Sequence, residues 1–248
     1  MPHDAIHLTL LAVLVLAAAV LYSSVGHAGA SGYLAAMALM GVAAPVTKPA
    51  ALVMNIVVAI VGTWRFAAAR LIPWRLLVPL TLGSIPAAFL GGALTLPTRV
   101  HRIVLGVILL FAAARLWWPS APRSEPQHAP GAGTLVVVGL VLGLLSGLTG
   151  VGGGIFLSPL LIFAGWEETR RTAGASVAFI LANSVAGLLG HIGGPHPIPS
   201  EVALLAPIAL IGGLYGSWLG AKRLRTEPLR RLLGLVLLIA STKLLFAH

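Results

Sequence analysis

The chain contains no cysteine, so it can form neither a disulfide nor a thiolate metal site. It is also poor in acid, with six Asp and Glu against sixteen Lys and Arg. Those acids (Asp4, Glu125, Glu167, Glu168, Glu201 and Glu227) all fall at the ends of apolar runs or between them. An apolar core without carboxylates disfavours a proton pump built on an acidic relay, and a sodium site built on an intramembrane acid. Charge of either sign makes up only 9% of 248 residues. That is too little to cover the surface of a soluble domain of this size.

Hydrophobic residues fill the gap, at 58% of the chain with a mean hydropathy of +0.99. Apolar runs fall at 6–25, 32–46, 49–64, 76–96 and 103–118, then at 134–149, 154–165, 172–190, 202–221 and 232–247. Several reach the length of about 20 residues that crosses a bilayer as a helix. The expected fold is therefore an all-α polytopic membrane protein, multi-pass in the inner or plasma membrane. Met1-Pro-His-Asp4 lacks the basic residues of a signal peptide, so residues 6–25 are expected to be retained. The formal net charge of +10 does not point to nucleic acid, because the basic residues sit in short loops where membrane proteins keep topology signals. Trp64, Trp74, Trp117, Trp118, Trp166 and Trp218 stand at segment ends, where indoles anchor at the interface.

The chain repeats itself. At a constant offset of 128, Pro79 meets Pro207, Gly92-Ala93 meets Gly220-Ala221, and Arg102 meets Arg230. The match runs on through Leu105-Gly106 with Leu233-Gly234. Nearer the start the offset slips, yet a Gly-rich break recurs once per half. The expected organisation is a first repeat at 1–118, a Pro-rich linker at 119–132 and a second repeat at 133–248, each with about four to five apolar segments. An odd number of segments per repeat makes the halves inverted. The loop charges agree: placing Arg65, Arg70 and Arg75 inside also places Arg115, Arg123, Arg170, Arg171 and the 222–231 cluster inside. Only Lys48, Arg99, Arg102 and Lys243 remain outside.

The second break, Ser146-Gly-Leu-Thr-Gly-Val-Gly-Gly-Gly-Ile-Phe-Leu-Ser-Pro159, holds Gly147, Gly150, Gly152, Gly153 and Gly154 within eight residues. Glycine carries the largest ordering cost of any residue, so this density inside an apolar segment needs a reason. Close packing between membrane helices is one. The other is a broken helix whose unpaired amides, near Ile155, would receive an anion. Inverted repeats bring the two breaks together near the midplane, as broken or re-entrant helices. The groups then available are hydroxyl, imidazole, carboxamide and backbone N–H. Gly150, Gly152, Gly153, Gly154 and Ile155, with Thr149, Ser24 and Ser31, are expected to hold oxygens of the cargo. His27 and Asn183 would orient it, Ser176 is also expected to bind it, and Ser23, Asn55, Ser146, Ser158, Thr172 and Ser184 add polar neighbours on the same or following segments. His27 is also a candidate proton carrier, since imidazole titrates near neutrality. Lys48 and Arg171 begin the third segment of each half, where they either attract an anion or flank the helix as topology signals. No cofactor or metal is expected; His191 and His196, without a carboxylate or thiolate, make a poor metal site.

The second break resembles the motif G-x-x-G-x-G-G-G-x-x-x-x-P-x-L of the TauE/SafE family of sulfite and organosulfonate exporters. Arg171-Thr-Ala-Gly-Ala-Ser176 is similar to the polar start of that family's next helix. The first break, Gly26-His27-Ala-Gly-Ala-Ser31-Gly32, lacks the triple glycine and the proline. The resemblance implies a non-enzymatic membrane carrier that exports a small sulfur oxyanion or sulfonate. Its expected partners are that anion and the lipid bilayer, with no nucleic acid; a homo-oligomer is compatible. An anion channel fits the same residues. A rival from another class is a rhomboid-like intramembrane protease, reading Gly29-Ala-Ser31-Gly32 as its nucleophile motif and His191 as its base, which requires the two side chains within hydrogen-bond reach.

Overall fold

The computed structural model describes residues 5–24, 27–117, 129–192, 194, 197–221 and 227–246, and among them the only regular elements are helices. In chain order they are α1 (Ala5–Ser24), α2 (Ala30–Leu39), α3 (Ala44–Ala68), α4 (Trp74–Ala93) and α5 (Thr98–Trp117). Then follow α6 (Ala132–Thr149), α7 (Gly154–Ala164), α8 (Thr169–His191), α9 (Val202–Ala221) and α10 (Glu227–Phe246). Most of the expected linker lies outside the described residues. Among the described residues, six helices are long and apolar enough to cross a bilayer: α1, α3, α4, α6, α8 and α9. Large apolar side chains such as Ile6, Leu82 and Ile211 are exposed, as lipid-facing positions are. The chain is a multi-pass, all-α integral membrane protein.

Two helices are half-length. At 10 and 11 residues, α2 and α7 extend only about 15 Å, half a hydrocarbon core. Each ends the same way. The Val42 amide bonds Met37 O at 2.9 Å past Gly41, and the Trp166 amide bonds Leu161 O at 3.0 Å past Gly165. Both are six-to-one bonds of the Schellman kind, which close off the last carbonyls where no water can.

The longer helices pack in matching pairs. α4 lies along α6, and α1 along α9; α4 also packs on α8, and α9 on α3. Two further extensive pairs are α3 with α8 and α5 with α10. The α4–α6 seam is built from small residues. Gly139, Gly143 and Gly147 recur every fourth residue on α6, and a methyl group at each would land on the carbonyl oxygens of Leu80, Ser84 and Ala88 of α4. Lipid supplies no hydrophobic drive for helices to associate, so close backbone approach and its dispersion contacts hold this pair. Gly147, one of the five glycines of the second break, therefore serves packing.

Candidate functional site

The second half carries the open break. α6 ends when Gly150 turns left-handed (φ 79°) and its amide bonds Ser146 O at 2.8 Å. Gly152 (φ 80°) and Gly153 (φ 81°) repeat that conformation before α7 begins. Three left-handed residues within four positions suit only glycine, and space agrees. A Cβ on Gly152 would stand 2.8 Å from Ile180 Cγ2, and one on Gly153 2.8 Å from Phe179 Cε1. Among the described residues, the amides of Val151 through Ile155 reach no backbone acceptor; the first paired ones are Phe156 and Leu157, both on Gly153 O. No side chain caps α7. Its positive end is thus left with free donors inside the protein.

Two asparagines face this break, at the repeat offset of 128. Asn55 of α3 and Asn183 of α8 are both fully buried. Asn55 Nδ2 donates to Gly150 O and to Ser184 Oγ, each at 3.4 Å. Asn55 Oδ1 and both polar atoms of Asn183 have no partner. Asn183 Nδ2 is 3.5 Å from where a Gly153 Cβ would sit, so the unpaired carboxamide lies directly against the open break. Leaving a buried amide unpaired costs about 1–3 kcal/mol, which a resident ligand or water would recover.

The first break supplies the third group. His27 Nε2 lies 2.9 Å from Ser158 Oγ of α7, and Ser158 Oγ lies 2.7 Å from Ser176 Oγ of α8. A row of imidazole and two hydroxyls thus ties the α1–α2 break to α7 and α8. Ser158, a bystander in the sequence, is its middle member. Gly154 stands beside it, 3.3 Å from its Cβ position to Ser176 O.

Other expected residues turn elsewhere. Ser24 Oγ donates to Leu21 O at 2.7 Å, and Thr149 Oγ1 to Leu145 O at 2.7 Å, each within its own helix. Ser31 Oγ donates to the Tyr22 hydroxyl. Lys48 is buried, and its Nζ donates to Gly92 O at 2.8 Å and Leu94 O at 2.9 Å, capping the negative end of α4. Arg171 is partly exposed and pairs with Glu167 at 3.6 Å, one turn away. Val25 and Gly26 of the first break, and His196, lie outside the described residues. No Ser31–His191 dyad forms: Ser31 is committed to Tyr22, and His191 ends α8 about 22 Å of helix beyond Ser176.

The family model described as sulfite exporter TauE/SafE matches residues 10–244. A "Probable membrane transporter protein y4hK" of Sinorhizobium fredii is 35% identical over 245 residues, covering 95% of this chain and 97% of that one. A similarly named protein of Methanocaldococcus jannaschii is 25% identical over 66% of this chain and 64% of its own. "Probable membrane transporter protein MamO" of Magnetospirillum gryphiswaldense is 25% identical over 80% of this chain, which spans 38% of that longer protein. No solved structure matches.

Proposed function

This chain belongs to the sulfite exporter TauE/SafE family, and from that premise we propose that it carries a small sulfur oxyanion or organosulfonate outward by alternating access. Its named relatives are membrane transporters, and no covalent step on the cargo is invoked. The observation that carries the reading is Asn183: a fully buried carboxamide with neither atom paired, set against three left-handed glycines and the uncapped start of α7.

That environment suits an anion for three reasons. The amides of Gly152 to Ile155 and Asn183 Nδ2 are donors that no group of the protein occupies, the kind an oxyanion takes at a helix start. No carboxylate stands in the break to repel it. The walls are apolar side chains, Phe179 and Ile180, so the donors act at low dielectric. His27, Ser158 and Ser176 would orient the cargo from the first half's side.

The reading of the halves as inverted copies is supported by the loop charges and by the matching helix pairs around α3 and α8. With the α3–α4 loop cytoplasmic, the membrane potential alone moves an anion outward, at about 2.3 kcal/mol per charge per 100 mV. The test is uptake by inverted vesicles of sulfite, thiosulfate, methanesulfonate and unrelated anions. Saturable uptake of one sulfur anion, lost in Asn183→Leu, is expected; no uptake of any anion above empty vesicles sinks the reading.

A further inference from the structure

Between α3 and α9 lies a cavity of about 40 Å³ open to the centre of a water-sized sphere. That is about three times what one water needs. It runs from Phe66, near the end of α3, inward to His27 at the α1–α2 break. Its wall is apolar along Val58, Val61 and Val177, but Ser23, His27 and Ser217 interrupt it. The Ser23 hydroxyl is buried without a partner and stands 3.4 Å from the Cβ position of Gly213. Gly213 is one turn of α9 from Ser217, about 6 Å away. Beside the cavity, Arg65 donates an N–H to Ser217 Oγ, whose own proton goes to Leu214 O at 3.0 Å. Among the described residues no acid pairs with Arg65, so its positive charge and remaining donors stay available.

Packing alone does not require this equipment. At the offset of 128, Gly213, Ser217, Val58 and Val61 correspond to Ile85, Phe89, Ala186 and Leu189. Those four line a groove between α4 and α8 that is apolar throughout. The same place in the two halves is thus built once in hydrocarbon and once with two hydroxyls, an imidazole and a guanidinium.

We propose that the α3–α9 cavity is a loading subsite for the anion, with Arg65 supplying the charge, Ser217 positioning it, and Ser23 and His27 completing the hydrogen bonds. It takes a small singly or doubly charged oxyanion or sulfonate. Arg65 lies about 15 Å along α3 from Asn55, so the charged end of the subsite precedes the Asn183 break on the way in from the cytoplasmic end, and His27 is shared by the two. The proposal rests on the transport reading for the direction of travel, but its charge preference can be measured without transport.

A chain without cysteine makes the measurement direct. Ser23→Cys in the full-length protein, in sealed vesicles of each orientation, is treated with 2-sulfonatoethyl methanethiosulfonate or with its trimethylammonium analogue. The sulfonate reagent is expected to label Cys about tenfold faster than the cation from the Arg65 face, as a positive charge at the cavity mouth that steers anions inward would give. Adding Arg65→Gln should bring the ratio to near one, and excess methanesulfonate should slow labelling in the Arg65 protein. Equal rates for the two reagents, no labelling from that face, or a preference that survives Arg65→Gln overturns the subsite. Val61→Cys, on the same wall, replaces Ser23→Cys if that variant does not insert. Sulfite flux is scored separately. A chain that labels as expected but moves no anion keeps the subsite and sinks the transport reading; flux without the Arg65-dependent preference sinks the subsite alone.

Discussion

Asn55 of the first half holds the broken helix of the second, donating its Nδ2 to Gly150 O at 3.4 Å. Its counterpart at the repeat offset, Asn183, holds nothing. One carboxamide fixes the break and the other faces it with donor and acceptor unspent.

That difference separates their variants. Asn183→Leu removes a buried amide that has no partner, so folding should be unharmed or gain about 1 kcal/mol. Anion flux should fall at least about 100-fold, as for loss of a preorganised donor to a charged group. Asn55→Leu should instead lower stability by about 1–2 kcal/mol, since it strands Gly150 O and Ser184. Melting in detergent and flux in vesicles, measured on both, check the pair; similar stability losses would show that the two amides share one structural role.

Gly153→Val should abolish flux. At φ 81° a β-branched residue is strained by about 1–3 kcal/mol, and its Cβ would press on Phe179. Because the strain is local to the break, the protein should still insert in the membrane. Wild-type flux from an inserted Gly153→Val protein would remove the break from the binding site.

His27→Gln keeps a side chain able to bond Ser158 but cannot carry a proton. If imidazole protonation is coupled to transport, the flux of this variant should lose its dependence on pH. A retained pH profile assigns His27 to positioning Ser158 alone.

Lys48→Met should melt early. Its Nζ satisfies Gly92 O and Leu94 O, and charge-assisted bonds of this kind are worth about 1.5–3 kcal/mol each. The half-saturation concentration of the protein that survives should stay near wild type. A raised half-saturation with unchanged melting would restore Lys48 as an attractor of anions.

The apolar runs placed all ten helices of the described residues, because hydrocarbon length and composition are local properties. One boundary moved. The run assigned to 32–46 ends as α2 at Leu39, and α3 starts at Ala44 with a proline in its first turn. Thr47, Lys48 and Pro49 look like a loop in sequence, yet α3 begins before them, where Pro45 in the first turn supports the helix start. Lys48 is tolerated inside because its partners lie on the end of another helix, which no local pattern reveals. The Gly-rich break was legible for the same reason glycine always is: its density had no local excuse. Its polar companions were only partly so. Asn183 and Ser176 could be named as polar residues in an apolar run, whereas the link of Ser158 to both His27 and Ser176 comes only from the packing of α7 on α8. Arg65 read as a topology signal, and its link to Ser217 joins helices far apart in the chain.

The glycine seam of α6 on α4 also limits how the molecule can move. Each glycine of α6 sits over one carbonyl of α4, four residues apart, and Gly83 and Gly91 of α4 sit over Val136 O and Leu144 O of α6, so the two backbones mesh and any slide short of a turn takes every glycine off its carbonyl. The pair can shift only by a whole helical turn or not at all. Any rocking that turns the break from one face of the membrane to the other must therefore carry these two helices together as one strut, with the give located elsewhere.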